Sequence, residues 1–409
     1  MRAKETIKDF AIFGGKPSFE HILHVGRPNI GNKDRLLERI SDALERGWLS
    51  NDGPCVEELE KKLEQHLGAG HCQTVCNATT GLQLAMRALE MSGEVIVPAF
   101  TFIGTAHAVQ WLGFTPVFCD IDPRTHTIDP ARVEELITPE TTGIIGVHLW
   151  GQPCDIQALE GIAQRHGLKL LFDSAHAFNC TWRGRMIGNF GDAEVLSFHA
   201  TKFFNTFEGG AVVTNNAEFA RRVGRMRNFG FAGMDRTDGL GTNAKMSEAS
   251  AAMGLTNLES LGDFVDANFR NYHAYRQGVC GVPGIRLLGY DETEKRNYQY
   301  IVLEIDESET VLNRDELRNI LCAENVLVRR YFYPGCHRMQ PYASMTPNGG
   351  RRLPVTDRVA RRVLVLPTGT AVSAEQVDLI CGMLRLLVSN GASVAKRLRG
   401  ARESATAVV

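Results

Sequence analysis

The sequence predicts an α/β fold with a mostly parallel sheet, followed by a smaller α+β domain. Between about residues 35 and 255, short apolar runs alternate with amphipathic stretches. Apolar strands of four to six residues with helices between them are typical of a sheet that is covered on both faces. After about residue 260 the order and spacing of the predicted strands and helices change. A chain of 409 residues is long enough for both parts.

Hydrophobic spacing predicts the helices and strands of the first part. Helical spacing is found at residues 33–44, 56–67, 80–90, 105–112 and 156–166. Short apolar runs predict strands at 94–98, 115–119, 143–148 and 168–172. Because ligands of such sheets bind beyond the carboxyl ends of the strands, reactive side chains are expected there.

The second part begins near residue 260. We expect a large domain over 1–260, including an N-terminal arm, and a small domain over 261–390. The last helix of the small domain follows Ser373, a suitable N-cap residue. The tail over 391–409 is rich in Ala, Arg and Ser, and we expect it to be disordered. Further elements of this domain are predicted at 261–278, 298–305, 314–324 and 326–331.

Composition excludes several classes of protein. Hydrophobic residues make up 44% and charged residues 22%, which is typical of globular proteins and excludes global disorder. Lys and Arg number 45 against 47 Asp and Glu, a net charge of -2, so neither nucleic acid nor a membrane surface is an expected partner. There is no apolar run long enough to span a membrane, and the N-terminus is charged. A cytoplasmic location is therefore expected.

The cysteines do not indicate a metal site. There are ten, and none is arranged as CxxC; Cys72 and Cys76 are the closest pair. Reduced, mostly buried thiols are the simpler interpretation, and no metal is expected.

Two side chains near predicted strand ends could carry chemistry. Asp173 directly follows the apolar run 168–172, although a lone Asp there is more often a helix N-cap or an ion-pair partner. Lys202 lies in the unusually apolar run 195–210. Desolvation would lower the pKa of its amine and favour imine formation, whereas the alternative is a surface lysine with a buried stem.

A third feature could bind a phosphate. Residues 77–81, Asn-Ala-Thr-Thr-Gly, open a predicted helix, where free backbone N–H groups and two hydroxyls suit an anion. A simple helix cap is the alternative. Together, a phosphate site, an aspartate and a lysine are what pyridoxal 5'-phosphate requires: the lysine forms the imine, and the aspartate keeps the pyridine nitrogen protonated.

With these motifs the sequence resembles the DegT/DnrJ/EryC1/StrS family of sugar aminotransferases. The resemblance spans about residues 14–387 and implies a fold-type-I pyridoxal-phosphate transferase with a seven-stranded sheet in its large domain. The order of the motifs 172–178, 197–202 and 208–210 is the most specific part. The other matching stretches are 47–54, 77–89, 95–102, 116–122 and 147–152.

The resemblance implies roles for four residues around the cofactor ring. Lys202 matches the lysine that forms the imine, and Asp173 matches the partner of the pyridine nitrogen. His176 stands where many members have Gln, near the ring hydroxyl, and Phe102 matches an aromatic residue that stacks on the ring. A branch of the family that removes a hydroxyl has His in place of the lysine, so Lys202 favours transamination.

Further roles concern the phosphate. Ala78, Thr79 and Ser197 match phosphate contacts, although Thr79 replaces a frequent Gly. Lys245 matches a residue that reaches the phosphate from the neighbouring subunit. The resemblance therefore implies a homodimer with shared active sites.

The implied reaction moves an amino group from L-glutamate to a nucleotide-linked keto-deoxysugar, with the cofactor alternating between the pyridoxal and pyridoxamine forms. The expected substrate is dTDP-4-dehydro-6-deoxy-D-glucose, and the product dTDP-4-amino-4,6-dideoxy-D-glucose belongs to antibiotic or surface-glycan pathways. Candidate substrate contacts, each with an equally open structural role, are Trp48, Arg329, Arg330, Tyr331 and His337.

Three alternatives remain at this stage. A 3-aminotransferase of the same family is the nearest. A catalytically silent pyridoxal-phosphate-binding regulator is another, against which the Asp173–Lys202 pair argues. A nicotinamide-dependent reductase would need a glycine-rich turn after the first strand, and the sequence has none.

Overall fold

The computed structural model describes residues 1–345 and 352–406, with side chains up to residue 400. The helices are α1 (Lys33–Arg46), α2 (Pro54–Leu67), α3 (Ala78–Ala88), α4 (Ile103–Trp111), α5 (Pro130–Glu134), α6 (Ile156–His166), α7 (Ala217–Met226), α8 (Glu248–Glu259), α9 (Leu261–Gly278), α10 (Glu307–Thr310), α11 (Arg314–Ala323), α12 (Tyr342–Met345), α13 (Pro354–Arg362), α14 (Ala374–Ser389) and α15 (Gly391–Thr406). The strands are β1 (Leu23–His24), β2 (His71–Val75), β3 (Glu94–Pro98), β4 (Thr115–Cys119), β5 (Thr141–Val147), β6 (Lys169–Asp173), β7 (Thr181–Trp182), β8 (Arg185–Met186), β9 (Ala193–Ser197), β10 (Gly210–Thr214), β11 (Ile285–Leu287), β12 (Ile301–Ile305), β13 (Val326–Leu327) and β14 (Val363–Leu366).

A seven-stranded sheet forms the centre of the large N-terminal part. Its strand order is β2-β10-β9-β6-β5-β3-β4, and β10 runs in the opposite direction to the other six strands. Val147 at the end of β5 pairs with Asp173 at the end of β6, and Ser197 at the end of β9 pairs with Gly210 at the start of β10. The predicted α/β architecture is confirmed, and these strand ends meet at one edge of the sheet.

Helices cover both faces of this sheet because its strands are apolar on both sides. On one face α3 packs against β9 and β10, within a core that includes Leu82, Ala85 and Val195. On the other face α6 packs against β5 and β6 through residues such as Leu159 and Ile162. Packing of these helices against β5, β6, β9 and β10 fixes the position of the side chains at the ends of these strands.

The C-terminal part has its own antiparallel sheet, β11-β12-β14, against which α9 and α14 pack. The N-terminal segment belongs to this core: Phe10, Phe19 and Leu23 are buried in it, and β1 pairs with β13. The large domain expected over 1–260 includes this segment. It packs on the C-terminal part because buried Phe and Leu side chains find their apolar partners there.

The expected disorder of the tail over 391–409 is wrong for most of its length. The tail forms α15, Gly391–Thr406, and residues 407–409 lie outside the described part of the chain. Val394 and Leu398, one helical turn apart, are buried against the C-terminal core. This pair gives the helix a short apolar face, which the Ala- and Arg-rich composition of the tail does not indicate.

No single helix in the described part of the chain is long and apolar enough to span a membrane. One pair of helices, Ala374–Ser389 with Gly391–Gly400, meets the length and composition test together but is bent by 84°. The first of these is α14, whose Val377, Ile380 and Leu384 are buried in the C-terminal core.

Candidate active site

The carboxylate of Asp173 lies buried at the carboxyl end of β6. Its Oδ2 accepts a hydrogen bond from Thr105 Oγ1 at 2.7 Å, and its Oδ1 accepts one from the backbone N–H of Ala175 at 3.2 Å. Burial raises the pKa of this carboxyl, while the two hydrogen bonds and the nearby charge of Lys202 act in the opposite direction. The site thus holds a desolvated carboxylate that a positive charge would stabilise.

The amine of Lys202 belongs to the same cluster. It follows β9 in a turn in which its backbone N–H donates to the carbonyl of His199 at 2.8 Å. Its Nζ donates to Tyr300 Oη at 3.4 Å. Burial lowers the pKa of the amine to about 8, although the charge of Asp173 opposes this shift. Near physiological pH a far larger fraction of this amine is neutral than of an ordinary lysine, which makes it a better nucleophile.

His176 completes the cluster. Its Nδ1 accepts the backbone N–H of Trp150 at 3.3 Å, and its ring centroid lies 4.4 Å from that of Tyr300. Burial, and then the charge of Lys202, hold the pKa of His176 well below its ordinary value. The imidazole is therefore neutral, and its Nδ1 faces a backbone N–H donor. The structure brings Asp173, His176 and Lys202 together.

The proposed phosphate residues meet at the start of α3. Asn77 caps this helix by accepting the Thr80 N–H at 2.9 Å. A Cβ on Gly210 would lie 2.9 Å from the backbone nitrogen of Ala78, so the helix start and β10 approach closely. Ser197 pairs with Gly210 across the sheet. Free N–H groups at a helix N-terminus beside a serine hydroxyl suit a phosphate.

Phe102, the residue before α4, lies close to Thr79 in the first turn of α3. Phe102 precedes α4, and its side chain is 59% exposed despite its size. A Cβ on Gly104 would lie 2.9 Å from the Phe102 ring and 3.4 Å from Thr79 Oγ1, so both side chains lie close to this glycine. An exposed aromatic face at a strand end suits stacking on a planar ring.

An open cavity of about 370 Å³ borders Phe102. Arg329 and Arg330 line it, with their guanidinium groups over the rings of Tyr331 (5.1 Å) and Tyr333 (4.6 Å). The structure thus brings three predicted substrate contacts, Arg329, Arg330 and Tyr331, next to a predicted cofactor contact. The other lining residues are Thr101, Ile103, Arg318, Leu327, Val328, Phe332 and Met339.

Three other predicted residues have different partners. Lys245 Nζ donates to Asn228 Oδ1 at 2.9 Å and lies 4.7 Å from the centre of the Phe229 ring. Trp48 is half exposed, and His337 Nε2 bonds Asp357 at 3.2 Å. These contacts do not join them to the Asp173–Lys202 cluster, so their proposed roles stay predictions.

Reasoning from the sequence missed three residues of the cluster. Thr105 holds Asp173, Trp150 holds His176, and Tyr300 contacts both Lys202 and His176. Thr105 and Trp150 follow strand ends, which is a signal that could have found them. Tyr300 comes from the C-terminal part, far along the chain, and no local pattern marks it.

Comparison with known proteins places this geometry among aminotransferases. The model of the DegT/DnrJ/EryC1/StrS aminotransferase family matches residues 31–385. The chain is 38% identical over 368 residues to dTDP-4-amino-4,6-dideoxy-D-glucose transaminase of Shigella dysenteriae, covering 90% of this chain and 99% of that protein. It is 31% identical over 361 residues to GDP-perosamine synthase of Escherichia coli O157:H7, covering 87% and 96%.

A solved structure also matches nearly the whole chain. The crystal structure of DesI in the presence of its TDP-sugar product has a TM-score of 0.92 and 46% sequence identity. The match covers 96% of this chain and 100% of DesI.

Proposed function

Because the chain belongs to the DegT/DnrJ/EryC1/StrS aminotransferase family, we propose that it transfers an amino group from L-glutamate to a nucleotide-linked keto-deoxysugar. Members of this family use pyridoxal 5'-phosphate, and this chain is a pyridoxal-phosphate-dependent aminotransferase. The proposed substrate is dTDP-4-dehydro-6-deoxy-D-glucose, and the product is dTDP-4-amino-4,6-dideoxy-D-glucose. The observation that carries the proposal is the buried Lys202 amine beside Asp173, in a chain similar to a transaminase named for this product.

The residues of the cluster fit the cofactor. Asp173 would hold the ring nitrogen, Phe102 the ring face and His176 the ring hydroxyl. Lys202 would bind the aldehyde carbon. The charges of the cluster support this assignment. When the Lys202 amine is neutral, it no longer gives the buried Asp173 carboxylate a positive charge, and a protonated ring nitrogen would supply one.

The phosphate would lie at the start of α3, between Ala78 and Thr79 on one side and Ser197 on the other. The close approach of Gly210 to the Ala78 nitrogen leaves the first N–H groups of the helix beside the sheet edge. Backbone N–H groups and hydroxyls are the donors that a phosphate requires there.

When bound, the cofactor supplies an electron sink for the pair released as a C–H bond breaks. The neutral Lys202 Nζ would take the proton from the α-carbon of the amino donor and deliver it to the carbon on the other side of the nitrogen that is transferred. Asp173 would keep its negative charge against the ring nitrogen, and the neutral His176 would offer a ring N–H as a hydrogen-bond donor. Tyr300 orients the Lys202 amine through the 3.4 Å contact.

The cavity beside Phe102 supports a nucleotide-linked substrate. Guanidinium groups such as those of Arg329 and Arg330 match the geometry of a diphosphate. The rings of Tyr331 and Tyr333 would provide flat faces for a base or sugar. Trp48 and His337 remain weaker candidates for contacts, because neither lines this cavity.

We propose that two copies of the chain share their active sites, with Lys245 reaching the phosphate of the partner. Four large apolar side chains in the segment 229–240 are exposed, and one of them, Phe229, contacts Lys245. They would be covered in a homodimer. They are Phe229, Phe231, Met234 and Leu240.

Product analysis tests the substrate. Purified enzyme would be incubated with L-glutamate and, separately, with dTDP-linked 4-keto and 3-keto deoxysugars and a GDP-linked 4-keto deoxysugar, and the products identified by NMR. We expect amination of the dTDP-linked 4-keto sugar at C4. Turnover of the 3-keto sugar alone would instead support the 3-aminotransferase, the main alternative.

The Lys202→Ala variant tests the chemistry. We expect the wild-type protein to be yellow and the variant to lose the covalent link to the cofactor, with activity reduced by at least about 10²–10⁴-fold. Lys169→Ala, which alters an exposed lysine on β6, is the matched control and should retain colour and activity. A wild-type protein that binds the cofactor but aminates none of the sugars would support the silent regulator.

A further inference from the structure

Trp150 has an unusual backbone for a large side chain. Its φ of 61° and ψ of 10° lie in the left-handed region, which disfavours residues with a Cβ. The side chain is fully buried. Such a conformation persists only where its surroundings enforce it, and it is frequent at functional sites.

The polar atoms around Trp150 enforce this conformation. Tyr290 Oη donates to the Trp150 carbonyl at 2.9 Å, and the indole Nε1–H donates to His126 Nδ1 at 3.3 Å. His126 in turn bonds Glu304, on β12, at 2.5 Å. The indole also stacks on Phe332, with centroids 5.5 Å apart and an interplanar angle of 12°. The C-terminal part of the chain thus clamps a residue of the N-terminal part.

The backbone N–H of Trp150 meets His176 as a result. It points to His176 Nδ1 at 3.3 Å, and the two rings stack with centroids 5.8 Å apart. Asn297 Nδ2 holds the His176 carbonyl at 2.9 Å, so the histidine is fixed from its backbone as well. A ring nitrogen that accepts an N–H bond cannot carry the proton while the imidazole is neutral.

We propose that Trp150 is a positioning residue that fixes His176 in the Nε2–H tautomer, so that a donor is permanently available on the ring nitrogen remote from Trp150. The use of that donor toward the cofactor hydroxyl rests on the proposed function. The tautomer itself does not. The low pKa of His176 is consistent with this role, because only a neutral imidazole has a tautomer to fix.

The test is ¹⁵N NMR of the apoenzyme labelled at histidine, with the His176 signals assigned by their loss in His176→Gln. In the wild type we expect His176 as the Nε2–H form, with the Nδ1–H form below detection. Trp150→Gly accepts the same backbone angles but loses the indole contacts with His126 and Phe332, and should raise the Nδ1–H fraction several-fold toward that of free histidine. Trp150→Phe keeps a ring beside Phe332 and should restore most of the wild-type spectrum.

Phe190→Ala is the control, because it removes a buried ring that packs on Trp182. It should lower the melting temperature without changing the His176 signals. An Nδ1–H form in the wild type, or unchanged His176 signals in Trp150→Gly, would overturn the proposal. If Trp150→Gly does not fold, Tyr290→Phe removes the hydroxyl that lies 2.9 Å from the carbonyls of both Trp150 and Tyr300, and it must change the tautomer ratio in the same direction. Since no substrate is used, these outcomes are independent of whether the proposed amination occurs.

Discussion

Single residues of the active-site cluster show how burial prepares two groups for one cofactor. Desolvation raises the pKa of Asp173 and lowers that of Lys202, so both groups move toward their neutral forms. Their mutual attraction opposes this shift only in part. A protonated ring nitrogen would supply the positive charge that Asp173 lacks once Lys202 is neutral. Burial of Asp173 and Lys202 is therefore less costly in free energy when the cofactor is bound than when it is absent.

The shifted amine makes a prediction about pH. In the apoenzyme, the rate at which acetic anhydride acetylates Lys202 should rise with pH through a midpoint near 8 instead of the ordinary 10.5, because the neutral amine is the nucleophile. Mass spectrometry of the peptide that contains Lys202 measures this rate. The exposed Lys33 serves as an internal reference for the reagent. A midpoint near 10.5 would show that the amine is solvated.

The hydroxyl of Thr105 allows a sharper test of Asp173. Thr105→Val removes the 2.7 Å donor, so the buried carboxylate should lose charge and the cofactor dissociation constant should rise by about tenfold. Absorbance titration of the apoenzyme measures this constant. Thr101→Val is the control, because Thr101 contacts Thr105 Oγ1 at 3.3 Å without touching Asp173. Equal effects of the two substitutions would argue against a specific role for Thr105.

At the scale of elements, the site depends on one antiparallel strand. β10 runs back between β9 and β2, and its first residue, Gly210, lies against the start of α3. A strand in the parallel direction would place its carboxyl end at this edge instead. The reversal lets the helix N-terminus approach the sheet closely, which is what a phosphate site needs.

Gly210→Ala should disturb this approach. Its Cβ would lie 2.7 Å from the Leu196 carbonyl oxygen and 2.9 Å from the Ala78 nitrogen, so the helix start must shift. We expect the affinity for pyridoxal phosphate to fall by about tenfold while that for pyridoxal, which lacks the phosphate, changes less. Gly262→Ala in α9, where a Cβ meets nothing within 4 Å, is the control. An equal loss for both ligands would place the damage outside the phosphate site.

In the whole molecule, the site draws on both ends of the chain. Tyr300 and Phe332 come from the C-terminal part and pack against His176, while the N-terminal segment is buried in the same C-terminal core. Changes in the packing of the two parts would therefore alter the active site directly. The proposed dimer would extend this dependence to a second copy of the chain.

Subunit mixing tests the shared site. Neither Lys202→Ala nor Lys245→Ala homodimers should turn over efficiently, the latter because cofactor retention is weakened. If Lys245 acts on the partner's cofactor, a hybrid dimer carries both changes in one site and none in the other. Random mixing should then restore about a quarter of wild-type activity. Activity that never exceeds the mean of the two parent variants would place Lys245 in its own subunit's site or outside the site altogether.

Local patterns predicted much of the secondary structure. The strands at 94–98 and 115–119 are β3 and β4 with the same bounds, and the helix predicted at 156–166 is α6. The strands β2, β9 and β10 were not predicted from hydrophobic spacing. The tail was mispredicted because only two or three of its residues are buried. They are buried by packing on the C-terminal core, which local hydrophobic spacing does not show.

The sequence by itself determined the α/β class, the family and the chemical identity of Asp173 and Lys202, because apolar periodicity and motif order are properties of neighbours along the chain. Only the tertiary structure decided which distant residues complete the site. Thr105, Trp150 and Tyr300 act through contacts across 68, 26 and 98 positions of the chain. The shifted pKa values were likewise decided by folding, since desolvation depends on what packs around a group and not on its neighbours in sequence.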